Sequence, residues 1–289
     1  MPAPTRAEIR QLDTAQTNAV QLAQRELGKV WRELDGMSPA QQRDILLEIL
    51  PALINKYGDV TSVGAAEWYQ ALWDKFFGDG SGSGFQAMPD NPADDATLRR
   101  VIRAKAGLLF DGPDGANPEA FLTWANKFLD RNVKAGGRQT VRTSALHDPK
   151  KPRYARIPSG VRTCPFCLML ASRGAVYATE QTAGVGHEFH DDCHCEVAPE
   201  WGKGGLDHIE GYDLSLYERV YDDARRALEN PDSMSEDLRA TVFGGSEYTV
   251  NITQKNGRVR HVTYAAGDQN NVNALALVMR AQHPELFRD

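Results

Sequence analysis

The stretch SPAQQRDILLEILPALI, residues 38–54, reads as a helix start followed by a buried helical face. Ser38 can accept from the first backbone N–H groups, and Pro39 suits a first turn because it has no N–H to leave unpaired. Gln41 can reach back and close a capping box. Ile45, Leu46, Ile49, Leu50, Leu53 and Ile54 then recur on one face at helical spacing. Upstream, Ile9, Leu12, Val20, Ala23, Leu27, Val30 and Leu34 make a second stripe, which Gly36 ends. Downstream, a third helix is expected over about 61–77, with Ala66, Tyr69, Leu72, Trp73 and Phe76 inward. Trp68 and Phe77 widen that apolar surface. These residues read as ordinary helical core.

Further along, GDGSGSGFQAMPDNPADD, residues 78–95, has the composition of a flexible linker or loop. Helix resumes around 96–108. Another begins at Asn117-Pro118-Glu119, with Phe121, Trp124, Ala125, Phe128 and Leu129 as its stripe, and is expected to end at Gly136-Gly137. A helix is also expected over 212–228. EYTVNIT and RVRHVTYA read as two strands joined by Gln254-Lys255-Asn256-Gly257, since Asn-Gly is a strong hairpin signal. In that hairpin Tyr248, Val250 and Ile252 share a face with Val262 and Tyr264. A last helix closes the chain. The expected fold class is mainly α with small β elements (α+β). Its parts are an N-terminal helical region (1–77), the linker or loop (78–95), a core with a Cys/His cluster (96–230) and a small C-terminal hairpin-helix region (231–289).

At 289 residues, 41% hydrophobic and 25% charged, the chain suits a globular protein that can bury a sizeable core. A formal net charge of −6 argues against a generally nucleic-acid-binding surface. No apolar run approaches the roughly 20 residues of a membrane span. The opening residues lack the apolar centre of a signal peptide. A reducing, cytoplasm-like setting is therefore expected, where clustered cysteines act as metal ligands or redox groups more often than as structural disulfides.

All four cysteines fall in one segment. Cys164-Pro-Phe-Cys167 is a C-x2-C knuckle, and His190-x2-Cys193-x-Cys195 comes about twenty residues later. Zinc takes four N or S ligands in a tetrahedron, and two such knuckles deliver them with a loop between. The preferred ligands are Cys164, Cys167, His190 and Cys193, with Cys195 as the main substitute; His187 and His194 are weaker candidates. Four protein ligands would make the zinc structural, a staple across residues 164–195.

Catalytic readings of the same residues fit less well. The order and spacing of a zinc deaminase fail, and His187-Glu188-Phe189-His190 is one residue short of a zincin H-E-x-x-H. Cys164/Cys167 as a glutaredoxin-type redox pair would need a buried strand before it, and Ser159-Gly-Val-Arg-Thr163 does not read as one. An HNH-type metal-dependent nuclease could draw on His187, His190, Asp191 and His194, but no strand–strand–helix unit surrounds them. Between Arg131 and Arg173 lie Lys134, Arg138, Arg142, Lys150, Lys151, Arg153, Arg156 and Arg162, with Asp148 the only acid. This basic 131–173 segment reads either as an arm for DNA or an acidic partner, or as a solvated loop.

YARIPSGVRTCPFCLMLASRGAVY with the later HEFHDDCHCEVAPEW resembles the core of the MuF-like phage minor head (head morphogenesis) proteins, in the form found in actinobacterial phages. The match runs through Arg162, Thr163, Cys164, Cys167, His190, Cys193 and Cys195 and covers about residues 130–228. It departs at His194, where many members carry Arg. The resemblance implies a virion protein inside the capsid, made in the host cytoplasm, with the phage portal and capsid proteins as partners. With no catalytic motif and no apolar span, no enzymatic activity and no membrane are expected, and the basic 131–173 segment could meet packaged DNA.

Overall fold

The computed structural model describes residues 2–78, 84–112, 115–158, 163–175, 195–202, 204–253 and 258–287. Its helices are α1 (Arg6–Glu33), α2 (Pro39–Phe77), α3 (Asp95–Lys105), α4 (Pro118–His147), α5 (Pro165–Ala171), α6 (Leu214–Glu229), α7 (Glu236–Phe243) and α8 (Val272–Gln282). Strands β1 (Arg153–Pro158) and β2 (Cys195–Glu200) form one antiparallel pair, and β3 (Tyr248–Thr253) and β4 (Val259–Tyr264) another. The protein is therefore mainly helical with small antiparallel strand pairs. Among the described residues no helix is long and apolar enough to cross a membrane. The chain divides into two compact units, a helical one containing Ala7–Lys150 and a second containing Met1–Arg6 and most of residues 151–289.

In the helical unit the capping box forms as the sequence indicates. The Gln41 N–H donates to Ser38 Oγ at 3.4 Å, and the Ser38 N–H donates to Gln41 Oε1 at 3.1 Å. The expected second and third helices are one continuous element, α2, of 39 residues. Neither Pro51 nor Gly58 breaks it, although an interior proline removes one backbone hydrogen bond and a helical glycine costs about 1 kcal/mol against alanine. Packing outweighs these penalties, because Leu46, Leu50, Ile54, Ala65 and Tyr69 are all fully buried along its length.

Helix α4 likewise runs through Gly136-Gly137, where the composition pointed to an end. The reason is a close backbone approach. A Cβ on Gly136 would fall on the Gly58 carbonyl oxygen and 2.7 Å from Ser62 Oγ, and one on Gly137 would lie 3.0 Å from the Gln16 side chain. The Thr61 hydroxyl donates to the Val133 carbonyl at 2.6 Å, and the Ser62 hydroxyl to that of Gly58 at 2.8 Å. The glycine pair is thus the crossing point of α2 and α4.

The described part of the Gly/Ser-rich connection is held against the same helices. The Ala87 N–H donates to Gln70 Oε1 at 2.9 Å, and the Asp90 N–H to Thr140 Oγ1 at 2.9 Å. At the end of α4, Asp148 is fully buried. It accepts from the Tyr69 hydroxyl at 2.9 Å, the Trp73 indole at 3.2 Å and the Lys150 N–H at 2.7 Å. Burial first, then the Asp148 charge, pushes the Tyr69 phenol well above its ordinary range, which keeps it a donor.

In the second unit, α8 packs on α5, α6 and α7. The N-terminal residues join this unit: the Trp201 N–H donates to the Pro2 carbonyl at 3.0 Å, and Arg6 donates to the Pro158 and Glu210 carbonyls at 2.6 Å each. The Thr163 N–H donates to the Leu286 carbonyl at 3.0 Å, tying the approach to α5 to the far end of the chain. The β3–β4 hairpin puts Tyr248 opposite Tyr264 and Val250 opposite Val262, on the shared face read from the sequence. Its turn residues, 254–257, lie outside the described residues.

Candidate metal centre

The cysteine segment is organised by elements that local sequence pattern did not reveal. Strand β1 is buried at five of its six positions and β2 at all six, although both carry charged residues. No alternation of apolar and polar residues marks a strand buried on both faces, so this pair was missed. A buried strand, β1, ends six residues before Cys164, whereas residues 159–162 of the stretch read as no strand lie outside the described residues; among the described strands β1 pairs with β2, antiparallel.

Cys164 caps α5. Its backbone is extended, Pro165 fills the first turn, and its Sγ accepts from the Cys167 N–H at 3.1 Å. One turn into the helix, Cys167 is 1% exposed, and its sulfur lies 3.3 Å from that of Cys195, which is 0% exposed. That separation is well beyond the ~2.05 Å of a disulfide bond. It is near the roughly 3.8 Å between two sulfurs that each sit ~2.3 Å from one tetrahedral zinc. The two sulfurs would have to spread by about half an ångström to admit the ion.

Arg156 completes this arrangement. In the β1–β2 register Arg156 lies opposite Val197 and Pro158 opposite Cys195, so Arg156 is the diagonal same-face neighbour of Cys195. Its Nε and Nη2 lie 3.3 and 3.1 Å from Cys195 Sγ. A guanidinium donating twice to sulfur matches a sulfur that carries negative charge, as a metal-bound or reactive thiolate does. Sequence reasoning grouped Arg156 with a basic arm because the cross-strand pairing was not legible.

The structure thus brings Cys167 and Cys195 together and leaves Cys164 on the adjoining turn. His190 and Cys193, with His187, Asp191 and His194, lie outside the described residues. Among the described residues no three His, Cys, Asp or Glu side chains converge closely enough to hold a metal ion. For the redox alternative, the sulfur that Cys167 approaches at 3.3 Å is that of Cys195, while Cys164 Sγ accepts from the Cys167 N–H.

The basic segment is not one arm. Lys134 and Arg138 are each 1% exposed within α4, and Arg156 is 5% exposed on β1. Lys134 Nζ pairs with Asp130 at 2.9 Å. Lys150, Lys151, Arg153 and Arg173 are exposed, and Arg162 lies outside the described residues.

The family model described as VG15 protein matches residues 3–224 of the chain. The chain belongs to the VG15 protein family. The VG15 match runs through both compact units and takes in Cys164, Cys167, Cys195 and Arg156, while residues 225–289 fall beyond it. The chain is also 30% identical over 114 residues to the Gene 15 protein of Mycobacterium phage D29. That alignment covers 38% of this chain and spans only 38% of the length of its relative. No solved structure matches this VG15 family member.

Proposed function

We propose that this protein is a phage-encoded structural component of the virion, a MuF-like minor head protein working with the portal and procapsid of a tailed phage. In this reading it is not an enzyme, and it resides inside the capsid after assembly in the host cytoplasm. The observation that carries the role is the similarity to a phage protein within a family match spanning most of the chain. The resemblance of the cysteine segment to head morphogenesis proteins adds the portal and capsid partners. Contact with packaged DNA is kept for the exposed cations Lys150, Lys151, Arg153 and Arg173, the buried ones being out of reach.

The reading includes a structural zinc held by Cys167 and Cys195, with two of Cys164, His190 and Cys193 supplying the remaining ligands. Its support is the 3.3 Å approach of two buried sulfurs beside the Arg156 guanidinium. Zinc would staple residues 164–195 and lend its binding energy to folding. The test is metal analysis of the full chain purified under reductant. About one zinc per chain is expected, lost in Cys167→Ser and Cys195→Ser; a metal-free parent refutes the site. For the role, the protein should co-purify with portal or procapsid from infected cells. Normal infectious heads after deletion of its gene would refute it.

A second reading is favoured by the same sulfur pair, namely a Cys167–Cys195 dithiol. Oxidation by glutathione disulfide would join the two sulfurs, break the glutathione S–S bond and pass the two thiol protons to two glutathione thiols. A gain of two alkylatable thiols on reducing the air-exposed protein supports this reading, and no gain refutes it.

A further inference from the structure

The second unit carries a cleft of about 410 Å3, apart from the Cys167–Cys195 sulfur pair. Lys151, Arg153 and Arg173 line it, with Glu200, Tyr212 and Leu214. All three cations are exposed, and none of their side chains makes a hydrogen bond or ion pair with any described residue. Glu200 is buried and accepts from the Leu206 N–H at 3.1 Å through Oε1. The lining thus holds three cations against one carboxylate, a surplus of positive charge in a chain with 39 acids and 33 bases. Cations without partners gathered around one concavity repel each other, and apolar walls focus their field into the opening.

Backbone conformation points the same way. Lys151, at φ 51°, is the only non-glycine residue in the left-handed region among those described. That conformation costs of order 1–3 kcal/mol and tends to accompany function. Gly174, Gly202 and Gly204, at φ 62°, 109° and 83°, also line the cleft in a backbone conformation that favours glycine.

We propose that this cleft binds a phosphate group, with the Arg153 and Arg173 guanidiniums gripping its oxygens and Lys151 adding a point charge. The phosphate could belong to nucleic acid or to a soluble polyphosphate. The proposal rests on the DNA-contact part of the virion role and deepens it. The virion role itself is tested separately by portal co-purification, so either can fail alone.

The test titrates the full chain with tripolyphosphate and with a fluorescent 20-nucleotide single strand and 20-base-pair duplex. The parent is compared with Lys151→Gln, with Arg153→Gln/Arg173→Gln, and with Arg280→Gln on the exposed side of α8 as control. The double variant should bind at least tenfold more weakly, Lys151→Gln about threefold, and the control within twofold of the parent. Far-UV circular dichroism and zinc content should stay those of the parent. DNA binding whose salt slope flattens by about two in the double variant assigns the phosphate to nucleic acid, since each lost contact removes about 0.9. Binding of tripolyphosphate alone assigns it to a soluble ligand. Failure of the parent to bind either ligand, or equal affinity in parent and double variant, overturns the proposal.

Discussion

Gly136→Ala should destabilise the helical unit, although the same exchange in an unobstructed helix stabilises it. Alanine gains about 1 kcal/mol over glycine in a helix interior. At Gly136 the new methyl would meet the Gly58 carbonyl, with Ser62 Oγ at 2.7 Å and Thr61 Oγ1 at 2.9 Å. Backbone and two hydrogen-bonded hydroxyls cannot swing aside as a long side chain can, so α2 and α4 must separate. Overpacking of this kind typically costs about 1–3 kcal/mol, and a backbone clash lies at the upper end. The expected net loss is therefore roughly 1–2 kcal/mol. Gly28→Ala in α1 is the matched control, since nothing lies within 4 Å of its Cβ, and it should gain up to about 1 kcal/mol. Thermal unfolding followed by helical circular dichroism reads both, at roughly 2–4 °C per kcal/mol for a unit of this size. A Gly136→Ala midpoint equal to or above the parent's would refute the close crossing of α2 and α4.

Asp148→Ala should take a hydrogen bond from both the Tyr69 hydroxyl and the Trp73 indole, at about 1–3 kcal/mol each, and Tyr69→Phe, which removes one, should cost only about 0.5–1.5 kcal/mol. Urea unfolding in which the two variants lose equally would contradict this arrangement. Asp213 caps α6, and hydrogen bonds from the Leu216 N–H and the Ser215 side chain hold its carboxyl below the ordinary 3.8. A lowered folded-state value means stability present above the unfolded value and lost as pH falls through the lowered one. The advantage of the parent over Asp213→Ala should thus be full above the unfolded value and shrink as pH falls through the lowered one. Equal acid sensitivity of the two proteins would count against the cap.

Features that depend on near neighbours could be read along the chain. The Ser38–Gln41 capping box, the α1 stripe from Ile9 to Leu34 and the shared face of β3 and β4 come from spacing, because helix caps, helical faces and hairpin turns are decided within a few residues. The clustering of the cysteines was equally visible, and with it the choice between metal and redox chemistry. Tertiary structure decided the rest. Gly58 and Gly136 look like helix breakers by propensity, yet each is where one helix backbone touches another, and that contact joins residues 78 positions apart. Cys167 and Cys195, 28 residues apart, meet because β2 returns antiparallel along β1 beside α5. The same pairing takes Arg156 out of the exposed basic charge and sets it against Cys195, while Lys151, Arg153 and Arg173 are left around one cleft. Local sequence carries charge and periodicity, but which charges are buried and which sulfurs are neighbours depends on how distant segments pack.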